Sequence, residues 1–237
     1  MKILKPKFWD RSNSFFSIML LPLSLLVYIF IFLKKRIIRP IKFNIPIICI
    51  GNIYIGGTGK TPLCLFLTKK LLYKKKKPAI IRKYYKNHRD EHELIKDAVG
   101  NLICSKNRLS AIEEAILKDY DSVILDDGFQ DYKIKKDINI LCFNQKQLIG
   151  NGLVFPSGPL RESLNSIKNA DIVVINGKKN IEFEKKILSF NKELSFYYST
   201  YEPKNIEKFK NKKLVAIAGI GSPENFFTLL KENNLNI

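Results

Sequence analysis

The densest chemistry in the 237-residue chain lies between Gly51 and Pro62, which read Gly-Asn-Ile-Tyr-Ile-Gly-Gly-Thr-Gly-Lys-Thr-Pro. Glycines in such a run let successive backbone N–H groups close around an oxyanion, and a helix that starts there adds the positive end of its dipole. Lys60 is spaced to reach the β- and γ-phosphates of a nucleotide, and the Thr61 hydroxyl to ligate Mg²⁺. Tyr54, Ile55, Gly56, Gly57, Thr58, Gly59, Lys60 and Thr61 are therefore the candidate nucleotide cradle. The strict pattern G-x-x-x-x-G-K-[ST] is one residue short, because Tyr54 stands where its first glycine belongs. A metal partner is expected further along, and Asp126-Asp127-Gly128 supplies two carboxylates at the end of an apolar run. Alone that triplet reads equally as a turn; beside a phosphate loop it reads as a Mg²⁺ site. No Asn-Lys-x-Asp element for guanine follows, so the expected nucleotide is ATP.

These residues need elements that hold them at one edge. Pro46 to Ile50 is a continuous apolar run suited to a buried parallel strand, and Leu63, Leu65, Phe66, Leu67, Leu71 and Leu72 mark a helix after the loop. Strands are expected near 46–50, 78–82, 122–126, 138–143, 171–175, 194–199 and 213–218, and helices near 62–74, 109–118, 181–190 and 223–231. That alternation predicts an α/β fold of the P-loop NTPase kind, a mostly parallel sheet with helices on both faces and ligands at the carboxyl ends of its strands. The expected organisation is a membrane-associated segment at 1–43, an ATP-binding core at 44–155 and a smaller C-terminal lobe at 156–237, with the boundary near Phe155–Pro159.

The net charge of +19 is uneven. Residues 1–89 carry 20 Lys and Arg against one acid, Asp10, whereas the rest is balanced at 21 each. Such a basic front calls for a polyanion, either nucleic acid or an anionic membrane surface. From Ser12 to Leu33 there are 22 uncharged residues, flanked on both sides by cations and interrupted by Pro22. The run is long enough to cross a bilayer, but cations at both ends give the positive-inside rule no direction. An interfacial helix or helical hairpin is favoured over a single span. Cys49, Cys64, Cys104 and Cys142 are far apart among apolar neighbours and read as reduced core thiols with no zinc spacing.

Several segments, in order, resemble the tetraacyldisaccharide 4′-kinases, membrane-associated P-loop enzymes. They are the apolar N-terminal run; Ile50 to Pro62; Arg89-Asp90-Glu91-His92; Asp126 to Gln130; Gly150-Asn151-Gly152 with Pro156 to Glu162; Ala170-Asp171; and Ala218 to Pro223 with Phe226-Phe227. The resemblance covers essentially the whole chain. It implies transfer of the ATP γ-phosphate to the 4′-hydroxyl of an acylated disaccharide 1-phosphate, at the cytoplasmic face of a bacterial inner membrane, by a monomer that binds no nucleic acid. It also implies that Asp126 and Asp127 are metal carboxylates and that Asp90 is the general base, with Glu91, Arg108 and Gln130 in support. His88 and His92 are read as loop residues beside Asp90.

The chain departs from the family at three places. Ile81-Arg82-Lys83-Tyr84-Tyr85 replaces a glycine-containing turn, and Asp131 stands where the family has a histidine. The sequence stops at Ile237, where family members continue through a His-containing segment, so part of the C-terminal lobe is expected to be missing. A membrane-tethered P-loop NTPase and a catalytically impaired paralogue are the alternative readings.

Overall fold

The structure is a computed structural model that describes residues 5–11, 13–84, 89–203, 205–218 and 223–237. Seven strands form one sheet: β1 (Ile47–Gly51), β2 (Pro78–Lys83), β3 (Leu102–Ser105), β4 (Ser122–Asp126), β5 (Ile138–Asn144), β6 (Ile172–Asn176) and β7 (Ser195–Ser199). They run in the order β3-β2-β4-β1-β5-β6-β7, and the pairs from β3 through β6 are parallel. The central strands alternate strictly between two apolar layers because successive side chains of a strand point to opposite faces. Cys49, Val123, Leu125, Leu141, Phe143 and Val173 enter one layer; Ile50, Ile124, Ile140, Cys142 and Val174 enter the other.

Helix α3 (Lys60–Tyr73) covers the second layer with Leu63, Leu67 and Leu71. Helix α5 (Arg108–Leu117) covers the first with Ala111, Ile112 and Ala115, and α6 (Ile181–Leu188) continues that layer with Phe183 and Ile187. Asn107 and Asn180 cap the last two helices, accepting from Leu109 N at 3.1 Å and Phe183 N at 2.9 Å, as short polar side chains do at exposed amide ends.

The expected strands before 200 and all four expected helices are present, within two residues or so at each end. Two elements were not anticipated: the four-residue strand β3 and the helix α4 (Arg89–Val99), whose polar sequence reads as a loop. The expected strand over 213–218 is absent from the described residues, where Lys213 makes only an isolated bridge to Asn236. Cys49, Cys64 and Cys142 are buried, but Cys104 is exposed on β3, so the four thiols are not all in the core.

The chain divides into two compact units, Met1–Tyr198 and Ser199–Ile237. The boundary expected near Phe155–Pro159 falls inside the first unit, because β6 pairs with β5 and draws the following segment into the same sheet. The second unit contains a 3-10 turn at Ile206–Lys208 and helix α7 (Pro223–Glu232).

The uncharged N-terminal run folds as two successive helices, α1 (Phe15–Met19) and α2 (Leu21–Ile37), joined at Leu20 with Pro22 in the first turn of α2. Among the described residues no helix is long and apolar enough to cross a membrane. The helices turn polar groups inward. Ser17 and Ser24 are only 1% and 6% exposed, while Leu26 and Phe30 are 63% and 68% exposed. Ser24 Oγ donates to Val154 O at 2.8 Å and accepts from Ser157 N at 2.9 Å, and Asn151 Nδ2 donates to Ser17 Oγ at 3.1 Å.

Candidate active site

Register brings the phosphate loop and the acidic pair together. Ile50 is opposite Asp126 in the β1–β4 pairing, and Arg82 is opposite Asp126 in the β2–β4 pairing, so three strands end at one edge. Close approach follows at Gly51, where a Cβ would sit 2.4 Å from Phe129 Cβ. The loop crosses to α3 at Gly59, whose φ of 88° lies in the left-handed region open to glycine. The loop is braced from behind. Ile55 N donates to Pro159 O at 2.8 Å, Arg161 N donates to Ile53 O at 2.7 Å, and buried Asn52 donates from Nδ2 to Gly56 O at 3.1 Å.

Tyr54, in the position of the missing glycine, is buried in the core, with the Lys5 ammonium 5.6 Å from its ring centre. Its side chain therefore does not line the cradle, and that of Ile55 is exposed. Thr58 Oγ1 is buried with no partner among the described residues.

The carboxylates are distinct. Asp126 is buried; Thr61 Oγ1 donates to its Oδ2 at 3.2 Å, Arg82 lies 3.4 Å away, and Oδ1 has no partner among the described residues. Burial pushes its carboxyl above the ordinary range, an effect that Arg82 and Lys60 only partly offset. Asp127 has a left-handed φ of 57°, a conformation that costs an L-residue of order 1–3 kcal/mol. Burial alone would raise its carboxyl too, but Lys60 at 3.5 Å and Arg161 at 2.8 Å outweigh it and hold Asp127 below the usual range.

An orphaned carboxylate oxygen beside a hydroxyl and a second carboxylate is a set of hard oxygen donors, and it fits Mg²⁺. Among the described residues no group of three or more His, Cys, Asp or Glu side chains is arranged to hold a metal, and this site offers two carboxylates and a hydroxyl. A Mg²⁺ ion held there would take the rest of its shell from phosphates and water.

Arg108 braces the acidic turn. Its Nη2 donates to the carbonyls of Asp126 at 3.1 Å and Asp127 at 2.9 Å, while Nη1 lies 3.4 Å from Asp131 Oδ2. Asp131, in place of the family's histidine, is therefore opposed by a guanidinium, not directed bare at a phosphate. Gln130 Nε2 donates to Asn52 O at 2.9 Å, and its Oε1 accepts from Arg161 at 3.5 Å, linking the loop to the acidic turn. The backbone of Asp90 and Glu91 lies in the first turn of α4, but their side chains are outside the described residues, as is His88. His92 is a buried helix residue against the Tyr84 ring, not a loop residue.

Three residues at the site were not singled out as site residues from sequence: Arg161, Arg82 and Asn52. Arg161 closes a Gly-Pro-Leu-Arg run, a signal that was available; Arg82 and Asn52 acquire meaning only from the strand register.

A parallel sheet whose central strand feeds a glycine loop, a lysine and a threonine facing a buried aspartate defines a nucleotide-phosphate site of the P-loop NTPase class. The particular family follows from comparison. A model of the family described as tetraacyldisaccharide-1-P 4′-kinase matches residues 16–237. The tetraacyldisaccharide 4′-kinase of Pelagibacter ubique (strain HTCC1062) is 40% identical over 244 residues, spanning 100% of this chain and 76% of that protein. The enzyme of the same name from Francisella tularensis subsp. novicida (strain U112) is 33% identical over 266 residues, spanning 98% and 82%. A crystal structure of LpxK from Aquifex aeolicus in complex with ATP superposes with a TM-score of 0.70 at 25% identity, covering 93% of this chain and 79% of that one. The signal recognition particle 54 kDa protein from Aeropyrum pernix K1, at a TM-score of 0.50 and 11% identity, shares the fold alone. The chain belongs to the tetraacyldisaccharide-1-P 4′-kinase family, and its function is that of a kinase in lipid A biosynthesis.

Proposed function

We propose that the chain transfers the γ-phosphate of ATP to the 4′-hydroxyl of a tetraacyldisaccharide 1-phosphate with the residues assigned here. The observation that carries this reading is the Asp126 carboxylate, buried, hydrogen-bonded to Thr61 and left with an oxygen that no described residue satisfies. Backbone N–H groups of residues 54–61 cradle the donor phosphates, and Lys60 neutralises charge on the β- and γ-oxygens. Thr61, Asp126 and Asp127 hold Mg²⁺, which when bound supplies Lewis-acid neutralisation of the phosphate oxygens. Asp90 accepts the proton of the 4′-hydroxyl as its oxygen attacks γ-phosphorus and the bond to the β–γ bridging oxygen breaks. Glu91 supports Asp90. Arg108 fixes the Asp126–Asp127 turn, and Gln130 and Arg161 keep loop and turn in register.

Helices α1 and α2 seat the enzyme on the membrane that holds its acylated acceptor. Their outward Phe15, Phe16, Leu23, Leu25, Leu26 and Phe30 side chains enter the acyl boundary, and the exposed Lys34 and Arg36 in the last turn of α2 meet anionic headgroups. The surface is the cytoplasmic face of the inner membrane, where ATP is available.

The test is transfer of radiolabel from γ-labelled ATP to tetraacyldisaccharide 1-phosphate by the full chain, with and without Mg²⁺. Metal-dependent labelling at the 4′-oxygen is expected. ATP hydrolysis without label in the lipid would instead identify a tethered NTPase.

A further inference from the structure

Trp9, in the 3-10 turn Lys7–Asp10, is only 5% exposed, although Lys7, Asp10 and Arg11 around it are exposed. Its indole Nε1 donates to Pro156 O at 3.0 Å, its carbonyl accepts from Asn151 N at 2.8 Å, and its ring meets that of Phe155 edge-on with 6.2 Å between centres. The approach is close, since a Cβ on Gly150 would sit 2.8 Å from Trp9 O. A buried tryptophan whose N–H finds a partner often serves packing alone. Here its neighbours all lie in one stretch, 150–156, which leads directly into the nucleotide site.

Residues 154–160 belong to no helix or strand and fold as a closed turn: Gly158 N donates to Val154 O at 3.1 Å, Phe155 N donates to Leu160 O at 2.8 Å, and Val154 and Leu160 form an isolated bridge. The turn has two sides. On one, Trp9 holds Phe155 and Pro156, and Ser24 of α2 holds Val154 and Ser157. On the other, Leu160 bridges to Tyr54, Pro159 O accepts from Ile55 N, and Arg161 N donates to Ile53 O. Arg161 then reaches Asp127, with Nη1 2.8 Å and 3.0 Å from the two carboxylate oxygens. Backbone groups of an irregular segment must find partners outside it, and those partners fix where it sits. Because the turn is closed by its own bonds, a shift at Pro156 carries to Ile55 and to Arg161.

We infer that Trp9 is a positioning residue for phosphate transfer: it fixes the 154–160 turn, and through that turn the entry to the phosphate loop and the Arg161–Asp127 pair. The inference rests on the kinase reading above and extends it to a residue of the N-terminal segment. Displacing orienting groups by about 1 Å can cost roughly 100-fold in rate, so a residue one step behind the site can matter to the chemistry.

Two variants of the full chain test this. Trp9→Phe keeps a ring against Phe155 and removes the N–H that Pro156 O accepts, whereas Trp9→Ala removes both. Transfer is measured in neutral detergent micelles with γ-labelled ATP and tetraacyldisaccharide 1-phosphate, ATP affinity by equilibrium titration, and amide hydrogen exchange without ligand. Trp9→Phe should raise the KM and Kd for ATP about threefold to tenfold, the worth of one hydrogen bond, and Trp9→Ala should lower kcat/KM for ATP about 100-fold. The KM for the acceptor should stay within about twofold. In both variants the Ile55 and Arg161 amides should exchange about tenfold faster, while those of β4 keep their rates. If Trp9→Ala does not fold, Trp9→Phe decides. A lower melting temperature and a lower kcat, with the KM for ATP unchanged, would show a merely structural residue and overturn the inference, whether or not the two amides exchange faster. Equal rises in KM for both substrates overturn it, as does a loss seen in vesicles and absent from micelles, which would make Trp9 part of the membrane seat. If the unaltered chain labels no acceptor, the kinase reading fails, and ATP affinity together with amide exchange decides the placement of the loop by Trp9.

Discussion

Helices α2 and α3 flank the same site and are built on opposite plans. In α3, Leu63, Leu67 and Leu71 pack beneath the sheet, and Lys69 and Lys70 face water. The three leucines are partly buried, each worth up to roughly 1.5–3 kcal/mol at full burial, so the hydrophobic effect seats this helix while hydrogen bonds brace the phosphate loop at its N-terminus. In α2 the polar face is inside. Ser24 is fixed by Val154 and Ser157, and Lys35 reaches the buried Glu162 at 2.5 Å, while the large apolar side chains face outward. The contrast teaches that a helix can be located by a few hydrogen bonds and one ion pair, leaving its apolar surface for a different solvent. An exposed apolar face this extensive suits the membrane contact proposed for α1 and α2.

The sharpest way to separate the two plans is Lys60→Ala at the start of α3. It removes the cation placed for the β- and γ-phosphates, and transfer should fall about 10³-fold. Sedimentation with vesicles should not change, because α2 is untouched. Replacing Phe16, Leu23, Leu26 and Phe30 together with asparagine tests the other helix. Vesicle partitioning should fall about 100-fold or more, since each apolar side chain removed from the acyl boundary is worth about 1.5–3 kcal/mol at full burial. ATP binding and the melting temperature should hold. A lower melting temperature would mean that these side chains pack on protein after all.

The site itself supplies a pH test. Mg²⁺ must bind ionised Asp126, whose carboxyl burial holds above the ordinary range, so protons begin to compete at a higher pH than for an exposed aspartate. The Mg²⁺ concentration for half-maximal activity should rise about tenfold for each unit that pH falls below that value. Asp126→Asn should abolish this pH dependence and require more Mg²⁺ at every pH. The smallest effect is expected from Ser24→Ala, which removes the anchoring hydroxyl and should cost about 1 kcal/mol in thermal unfolding while leaving vesicle binding intact. A larger loss of activity than of stability would mean that the anchor also positions the loop behind Arg161.

Much of this was legible along the chain because the relevant physics is local. Continuous Ile and Val runs mark the strands of a doubly covered sheet, and Gly56 to Thr61 can hardly read as anything but a turn made for an oxyanion. The family motifs, being contiguous, were equally readable. Helix α4 was missed because a polar first turn looks like a loop until Ile95 and His92 are seen to be buried. The segment 213–218 has the residue types of a strand, yet Val215 and Ile217 stand exposed without a ladder, because a strand requires a partner that composition does not supply.

The sequence by itself determined the phosphate chemistry, the order of the elements and the presence of an apolar basic front, since each depends on residue type at short spacing. Only the tertiary structure decided which charges meet. Arg161 reaches Asp127 across 34 positions, Arg108 reaches Asp131 across 23, and Lys35 reaches Glu162 across 127. Such pairings follow from strand register and from the seat of α2, and electrostatic energy depends on distance in space, which chain separation does not encode.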